Sequence, residues 1–189
     1  GHIIMDFEGL LKNGIEAVLL KVRRESSQFP HNNFYKAAII VLTAAERHIM
    51  RYYSLALSKA ENEENDLRKA ELLEIARISK KIAFEKPESF QEALQLLWYV
   101  SIIAQYESNA SSLSLGRFDQ YMNRFYTQDL DRGISKDKLR EILECFWVKT
   151  NDVVLIRSAS SAKYFAGFPT GYTIALGGLL KNGRSAVND

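Results

Sequence analysis

A single cysteine, Cys145, in 189 residues excludes an internal disulfide and points to a reducing compartment. No apolar run reaches the length needed to span a bilayer. The first residues, Gly1-His2-Ile3-Ile4-Met5-Asp6, lack the basic and then apolar layout of a signal peptide. Charge of one sign is missing too: 25 Lys plus Arg against 23 Asp plus Glu leave a net +2, with the signs interspersed. A nucleic-acid footprint needs basic residues gathered on one face. These absences predict a cytoplasmic protein with no nucleic-acid partner and no membrane partner.

What is present is an ordinary globular composition, 47% apolar and 25% charged, enough for one sizeable core. Phe7, Leu10, Leu11, Gly14, Val18 and Val22 recur at helical spacing and predict one amphipathic helix ending near Ser26. After a break around Pro30, the stripe Phe34, Ala37, Ala38, Val41, Leu42, Ala45, Ile49 and Tyr52 predicts a longer one. The acidic run Glu61-Asn62-Glu63-Glu64-Asn65-Asp66 opens a third helix through Ile82; its negative charges favour a helix N-terminus, and no metal-ligand spacing stands behind it. Ser89 and Glu92 form a capping box, each side chain reaching the other's amide, at the start of a helix too apolar to be anything but buried. Arg117 to Phe125 and Ser135 to Asn151 complete the helical set. Within it, His48 reads as a core histidine with a satisfied ring nitrogen, and Cys145, inside a regular helix, as a small apolar residue without a catalytic role.

The stretch from Ser108 to Tyr121 is different: small, hydroxylated and irregular, and delivered from the middle of a core by the apolar helix before it. A loop held there by rigid neighbours suits binding chemistry, and a helix cap followed by a structural turn has the same composition. From Ser158 small residues dominate. Tyr172 to Leu176 reads as a buried strand, and Asn182-Gly183 as a type I′ turn folding Leu179 to Val187 back along it. The expected fold class is therefore mainly α with a terminal β-hairpin. A lone hairpin leaves unpaired edges, so the expectation is a partial sequence whose sheet continues elsewhere.

Five stretches taken together resemble successive signatures of the pyruvate formate-lyase-like domain of glycyl radical enzymes. They are Ser89-Phe90-Gln91-Glu92-Ala93-Leu94-Gln95, Glu107-Ser108-Asn109, Leu115-Gly116-Arg117-Phe118-Asp119-Gln120-Tyr121, Phe165-Ala166-Gly167-Phe168-Pro169 and Gly177-Gly178. The resemblance covers residues 1–189 and implies part of one such domain, with 1–157 as helical scaffold and 158–189 as a loop plus the first hairpin of a ten-stranded α/β barrel. It implies radical chemistry on a small organic substrate by a lyase, dehydratase or decarboxylase. The radical belongs to a glycine and is installed by a radical S-adenosylmethionine activase; no other cofactor is bound, and the full-length protein is a homodimer. No cysteine here has the family's Gly-Cys-Val context, and no Arg-Val-Ala-Gly-Tyr-type motif is present, so the chain alone is expected to be inactive and to depend on the remainder of its polypeptide.

Residue by residue, the resemblance places Ser112 at a substrate-facing serine and puts Ser111 where diol dehydratases carry a histidine. A serine supplies no proton at neutral pH, which points away from a glycerol-type dehydratase and leaves the arylacetate decarboxylases in view. His2 matches a second substrate-contacting histidine. Gly116, Arg117, Asp119 and Gln120 read as a structural motif, with Arg117 and Asp119 a clamp rather than a catalytic pair; no catalytic residue and no metal ligand is assigned. The competing reading is a non-catalytic helical module derived from the family and used for interaction or dimerisation.

Overall fold

The computed structural model describes residues 2–153, 158–165 and 170–188, which fall into two compact units. Residues 8–87 form a helical unit, and the flanking residues, 2–7 with 88–188, form a unit that carries a sheet.

In the helical unit, the single first helix expected from the apolar spacing is two: α1 (Phe7–Asn13) and α2 (Ile15–Gln28). The break is Gly14, whose φ of +82° no regular helix contains. A spacing argument counts glycine as a small apolar residue and cannot see its backbone angle. α3 (Asn33–Glu61) is capped by Asn32 and α4 (Asp66–Phe84) by Asn65, whose side chain accepts the Arg68 amide at 3.0 Å. Asp66 stands in the first turn of α4, as the acidic run predicts. α3 packs along α4, and the buried positions Ala45, Ala56, Ala60 and Ala76 are small enough for close approach of the two backbones.

The sheet-bearing unit is built on α5 (Phe90–Ser108), buried around most of its circumference. Ser89 caps it through the Glu92 amide at 3.2 Å, but the Glu92 carboxylate accepts the amide of Glu88 at 2.8 Å instead of that of Ser89, so the reciprocal half of the capping box reaches one residue further out. Asp129, only 5% exposed near the end of α6 (Phe118–Asp131), accepts the Phe90 amide at 2.8 Å and so ties the two helices together. α7 (Lys136–Lys149), capped by Ser135, continues into a 3-10 turn, and α8 (Ala159–Phe165) is a short helix within the stretch expected to be loop.

Three short strands, β1 (His2–Ile4), β2 (Ser112–Gly116) and β3 (Gly171–Ile174), form a sheet in the order β1-β2-β3 with both pairings parallel. This corrects two expectations. The stretch after α5 is a strand, not an irregular loop, and the chain does not end in a hairpin. Asn182-Gly183 does turn the chain, with the Leu180 amide on the Arg184 carbonyl at 2.8 Å, but the turn closes only the single bridge Leu179 to Ser185. Gly183 has φ +78° while Asn182 has no positive φ, so the turn is not type I′. The physical reason lies just upstream. β3 already spends one edge on β2, and Gly177 and Gly178, at φ +65° and +81°, swing the chain away from it. β1 is three residues long, too short for a periodicity signal, and is fixed by a partner 110 positions later. Among the described residues no helix is long and apolar enough to cross a membrane.

Candidate functional site

Parallel register lines up residues from all three strands. His2, Ser112 and Gly171 form one row, and Ile4, Ser114 and Thr173 the next on the same face, because side chains alternate along each strand. The opposite face carries Ile3, Leu113, Leu115 and Tyr172, with Leu113 and Leu115 each 1% exposed. One face is thus the more apolar and covered, with Ile3 and Tyr172 half-buried, while the other carries two serines and a threonine and is more open: His2, Ile4, Gly171 and Thr173 are all exposed there.

Ser112 sits at the centre of that face, 8% exposed, with its Oγ hydrogen-bonded to Nδ1 of His2. Gly171 borders it on the other side. Its amide donates to the Ser111 carbonyl at 3.2 Å, and a Cβ at this position would lie 3.4 Å from Cβ of Ser112, in ordinary contact. The structure therefore brings His2 and Ser112 together and places Ser111 at the entry to β2 beside them. Cys145 is exposed on α7 rather than packed as a small apolar residue. His48 lies in the helical unit with its ring against Tyr52, centroids 5.2 Å apart, and burial, with Arg51 second, holds it below the ordinary histidine range.

The Gly116-Arg117-Phe118-Asp119-Gln120 segment gathers around the chain that leaves β3. Gly116, at φ +66°, ends β2 at a bulge and accepts the Ala175 amide at 2.8 Å. Arg117 Nη2 donates to the carbonyls of Gly177 and Leu179, both at 3.1 Å. Oδ2 of Asp119 accepts the Gly177 amide at 2.7 Å and Nε2 of Gln120 at 2.8 Å, and that same nitrogen donates to the Ala186 carbonyl at 2.7 Å. Asn188 donates to the Asp119 carbonyl at 3.2 Å. Arg117 and Asp119 thus bind main chain, with no ion pair between them among the described residues. Phe165-Ala166-Gly167-Phe168-Pro169 lies mostly outside the described residues.

Tyr121 closes the same corner, its OH donating to the Leu115 carbonyl at 2.8 Å, and burial pushes its phenol well above the ordinary tyrosine range. For an acid whose folded pKa is raised, the folded state keeps a proton that the unfolded chain releases, so stability is intact below about pH 10 and falls as pH rises beyond it. Tyr121→Phe should flatten that alkaline fall in urea titrations between about pH 9 and 11; an unchanged slope would show that the phenol does not contribute to it.

A profile of the pyruvate formate lyase-like family matches residues 1–189. This chain belongs to that family. The glycerol-bound form of the B12-independent glycerol dehydratase from Clostridium butyricum superposes on the pyruvate formate lyase-like chain with a TM-score of 0.91 at 33% identity, covering 100% of it and 25% of the dehydratase. The (2S)-3-sulfopropanediol dehydratase of Klebsiella oxytoca is 34% identical over 200 residues, covering 100% of this chain and 24% of its own. The 4-hydroxyphenylacetate decarboxylase glycyl radical subunit of Clostridioides difficile is 32% identical over 158 residues, 82% of this chain and 17% of the subunit. The chain spans about a quarter of the length of the dehydratases it matches. Identity to a dehydratase and to a decarboxylase is nearly equal, so it does not choose between these reactions.

Gly171-Tyr172-Thr173 can be read from the sequence as entering a strand beside the cavity, but that Gly171 borders Ser112 follows only from the parallel register. Gln105 and Thr170, buried polar residues at 6% and 4% exposure, belong to no motif read from the sequence.

Proposed function

We propose that this chain supplies the helical scaffold and one wall of the substrate chamber of a glycyl radical lyase, dehydratase or decarboxylase acting on a small organic substrate. The supporting observation is the row His2, Ser112, Gly171 on the open, hydroxylated face of a parallel sheet whose other face is buried and apolar. On this reading the three strands are part of the barrel, and the chamber lies over that face. Ser112 and Ser111 offer hydroxyls, each a donor and an acceptor, to the polar groups of a substrate. His2, with Nδ1 held by Ser112, offers Nε2, so an imidazole stands on the wall through β1 even though position 111 is a serine. Gly116, Arg117, Asp119 and Gln120 act as the structural clamp that fixes the chain beyond β3.

A protein glycyl radical, installed by a radical S-adenosylmethionine activase and relayed to a cysteine, supplies hydrogen-atom abstraction from the remainder of the polypeptide, which full-length copies carry as a cytoplasmic homodimer. This chain's residues bind and orient the substrate and help exclude water from the reacting centre.

The experiment is anaerobic activation of the complete polypeptide with its activase, read by electron paramagnetic resonance. A glycyl signal is expected there and none from residues 1–189 alone. In the complete protein Ser112→Ala should keep the signal and lower kcat/KM about 10- to 100-fold, the loss of one or two hydrogen bonds in a dry site. A silent complete protein would favour the non-catalytic helical module, and a signal from the 189-residue chain would overturn the division of labour.

A further inference from the structure

Gln105 is a buried amide in the last turn of a largely buried helix, and it holds the turn that leads into the serines of β2. Burying an amide is unfavourable unless it is hydrogen-bonded, so its placement calls for an account of where its polar atoms go. Its main-chain carbonyl accepts the Asn109 amide at 2.7 Å. Its side-chain Nε2 donates to the Ala110 carbonyl at 2.9 Å. One residue therefore fixes two consecutive residues of the α5 to β2 connection. The first of them, Asn109, ends α5 in the left-handed region at φ 44° and ψ 45°, a helix-ending conformation that asparagine adopts more readily than other non-glycine residues. The second, Ala110, is 1% exposed and directly precedes Ser111 and Ser112.

We propose that Gln105 is a positioning residue for the substrate-facing serines, acting through the Ala110 carbonyl to set where Ser111 and Ser112 enter β2. The inference rests on the chamber reading given above. The mechanical chain is short: Ala110 is one residue from the Ser111 carbonyl that receives the Gly171 amide, and two from the hydroxyl that meets His2. A shift of Ala110 is transmitted to both contacts, because consecutive Cα atoms are a fixed ~3.8 Å apart.

The rival explanation is that Gln105 merely fills space. Oε1 of Gln105 and Oγ of Ser101, one turn earlier on the same helix face, are both buried without a protein hydrogen-bond partner. The acceptor end of the amide therefore does nothing visible for the fold, and the donor end, on Ala110, is what a space-filling role would not require. Two near-isosteric variants separate the explanations. Gln105→Met keeps the volume and deletes the donor. Gln105→Glu keeps the shape and makes the donor depend on protonation: the carboxylic acid donates to the Ala110 carbonyl, while the carboxylate repels it.

The test is hydrogen exchange read by mass spectrometry on the complete protein, following the peptide covering residues 108–116 at pH 5 and pH 8, with wild-type exchange at each pH as reference. Gln105→Met should exchange about tenfold faster in this peptide at both pH values, with peptides of α7 unchanged. Gln105→Glu should match Gln105→Met at pH 8 and return towards wild type at pH 5. Wild-type exchange in both variants would overturn the proposal, and so would equal loosening of Gln105→Glu at both pH values, which is the mark of altered packing alone. A crystal structure of Gln105→Met that still shows His2 on Ser112 would overturn it as well. None of these readouts needs the radical, so a complete protein without a glycyl signal would remove the chamber reading while leaving the hold of Gln105 on the 108–116 turn measurable on its own.

Discussion

Gly14→Ala should destabilise the chain by about 3 kcal/mol, whereas Gly133→Ala should cost about 1–2 kcal/mol, although both glycines have nearly the same φ. At φ +82° and +86° each stands where an L side chain is strained, and Gly14, at ψ 166°, lies in a region kept almost entirely by glycine. They differ in what surrounds them. A Cβ on Gly133 meets nothing within 4 Å. A Cβ on Gly14 would lie 3.0 Å from the Lys86 nitrogen and 3.1 and 3.2 Å from the Glu85 carbonyl carbon and oxygen, all main-chain atoms that cannot rotate away. Gly14 is where α1 hands over to α2 and where the chain leaving α4 passes closely, so that main chain must shift for a methyl to fit. Urea unfolding followed by circular dichroism measures both variants. Equal losses at the two positions would show that the close approach of residues 85–86 adds nothing to the backbone term.

The same glycine shows how far the sequence could be read. Helical stripes announce α3, α4, α5 and α7, and the Ser89 cap of α5 is legible too, because apolar periodicity and a capping side chain act over three or four residues; the caps Asn65 and Ser135 emerge from the structure. The close approach of residues 85–86 to Gly14 and the strand at 112–116 involve partners far away in the chain, and no local spacing contains them. β1 and β3 exist only because β2 lies between them. Ser112-Leu113-Ser114-Leu115 does alternate as a half-buried strand should, yet four residues among so many serines read as loop. Motif resemblance singles out Ser112, Ser111 and His2, but that His2 and Ser112 touch follows only from the register of two strands 110 residues apart. The terminal hairpin failed for the converse reason. Asn-Gly is a strong local turn signal, and here it operates inside an excursion held by side chains from α6.

That excursion carries the second large effect. Asp119→Ala should release residues 175–188 and cost about 3 kcal/mol, while Asp119→Asn should cost about 1 kcal/mol. Both N–H donors to the side chain, from Gly177 and Gln120, converge on Oδ2, and hydrogen bonds to a charged acceptor are about twice as strong as neutral ones. Alanine leaves the Gly177 amide without its acceptor, and only the Arg117 contact to the Gly177 carbonyl remains among the side-chain hydrogen bonds described for that glycine. Asparagine keeps an oxygen for the two donors and loses only their charge assistance. Its amide nitrogen then falls at Oδ1, a buried atom with no hydrogen-bond partner, and this sets the remaining penalty. Arg117, exposed and bound to two carbonyls, adds a weaker, solvent-screened hold, so Arg117→Ala should loosen the same segment less than Asp119→Ala. Amide exchange at Gly177 and Ala186 measures all three variants, with Leu113 in β2 as internal reference. Exchange that rises equally in β2 and in the excursion would mean that Asp119 supports the sheet as a whole. A rise confined to residues 175–188 identifies it as the pin that holds the chain leaving β3.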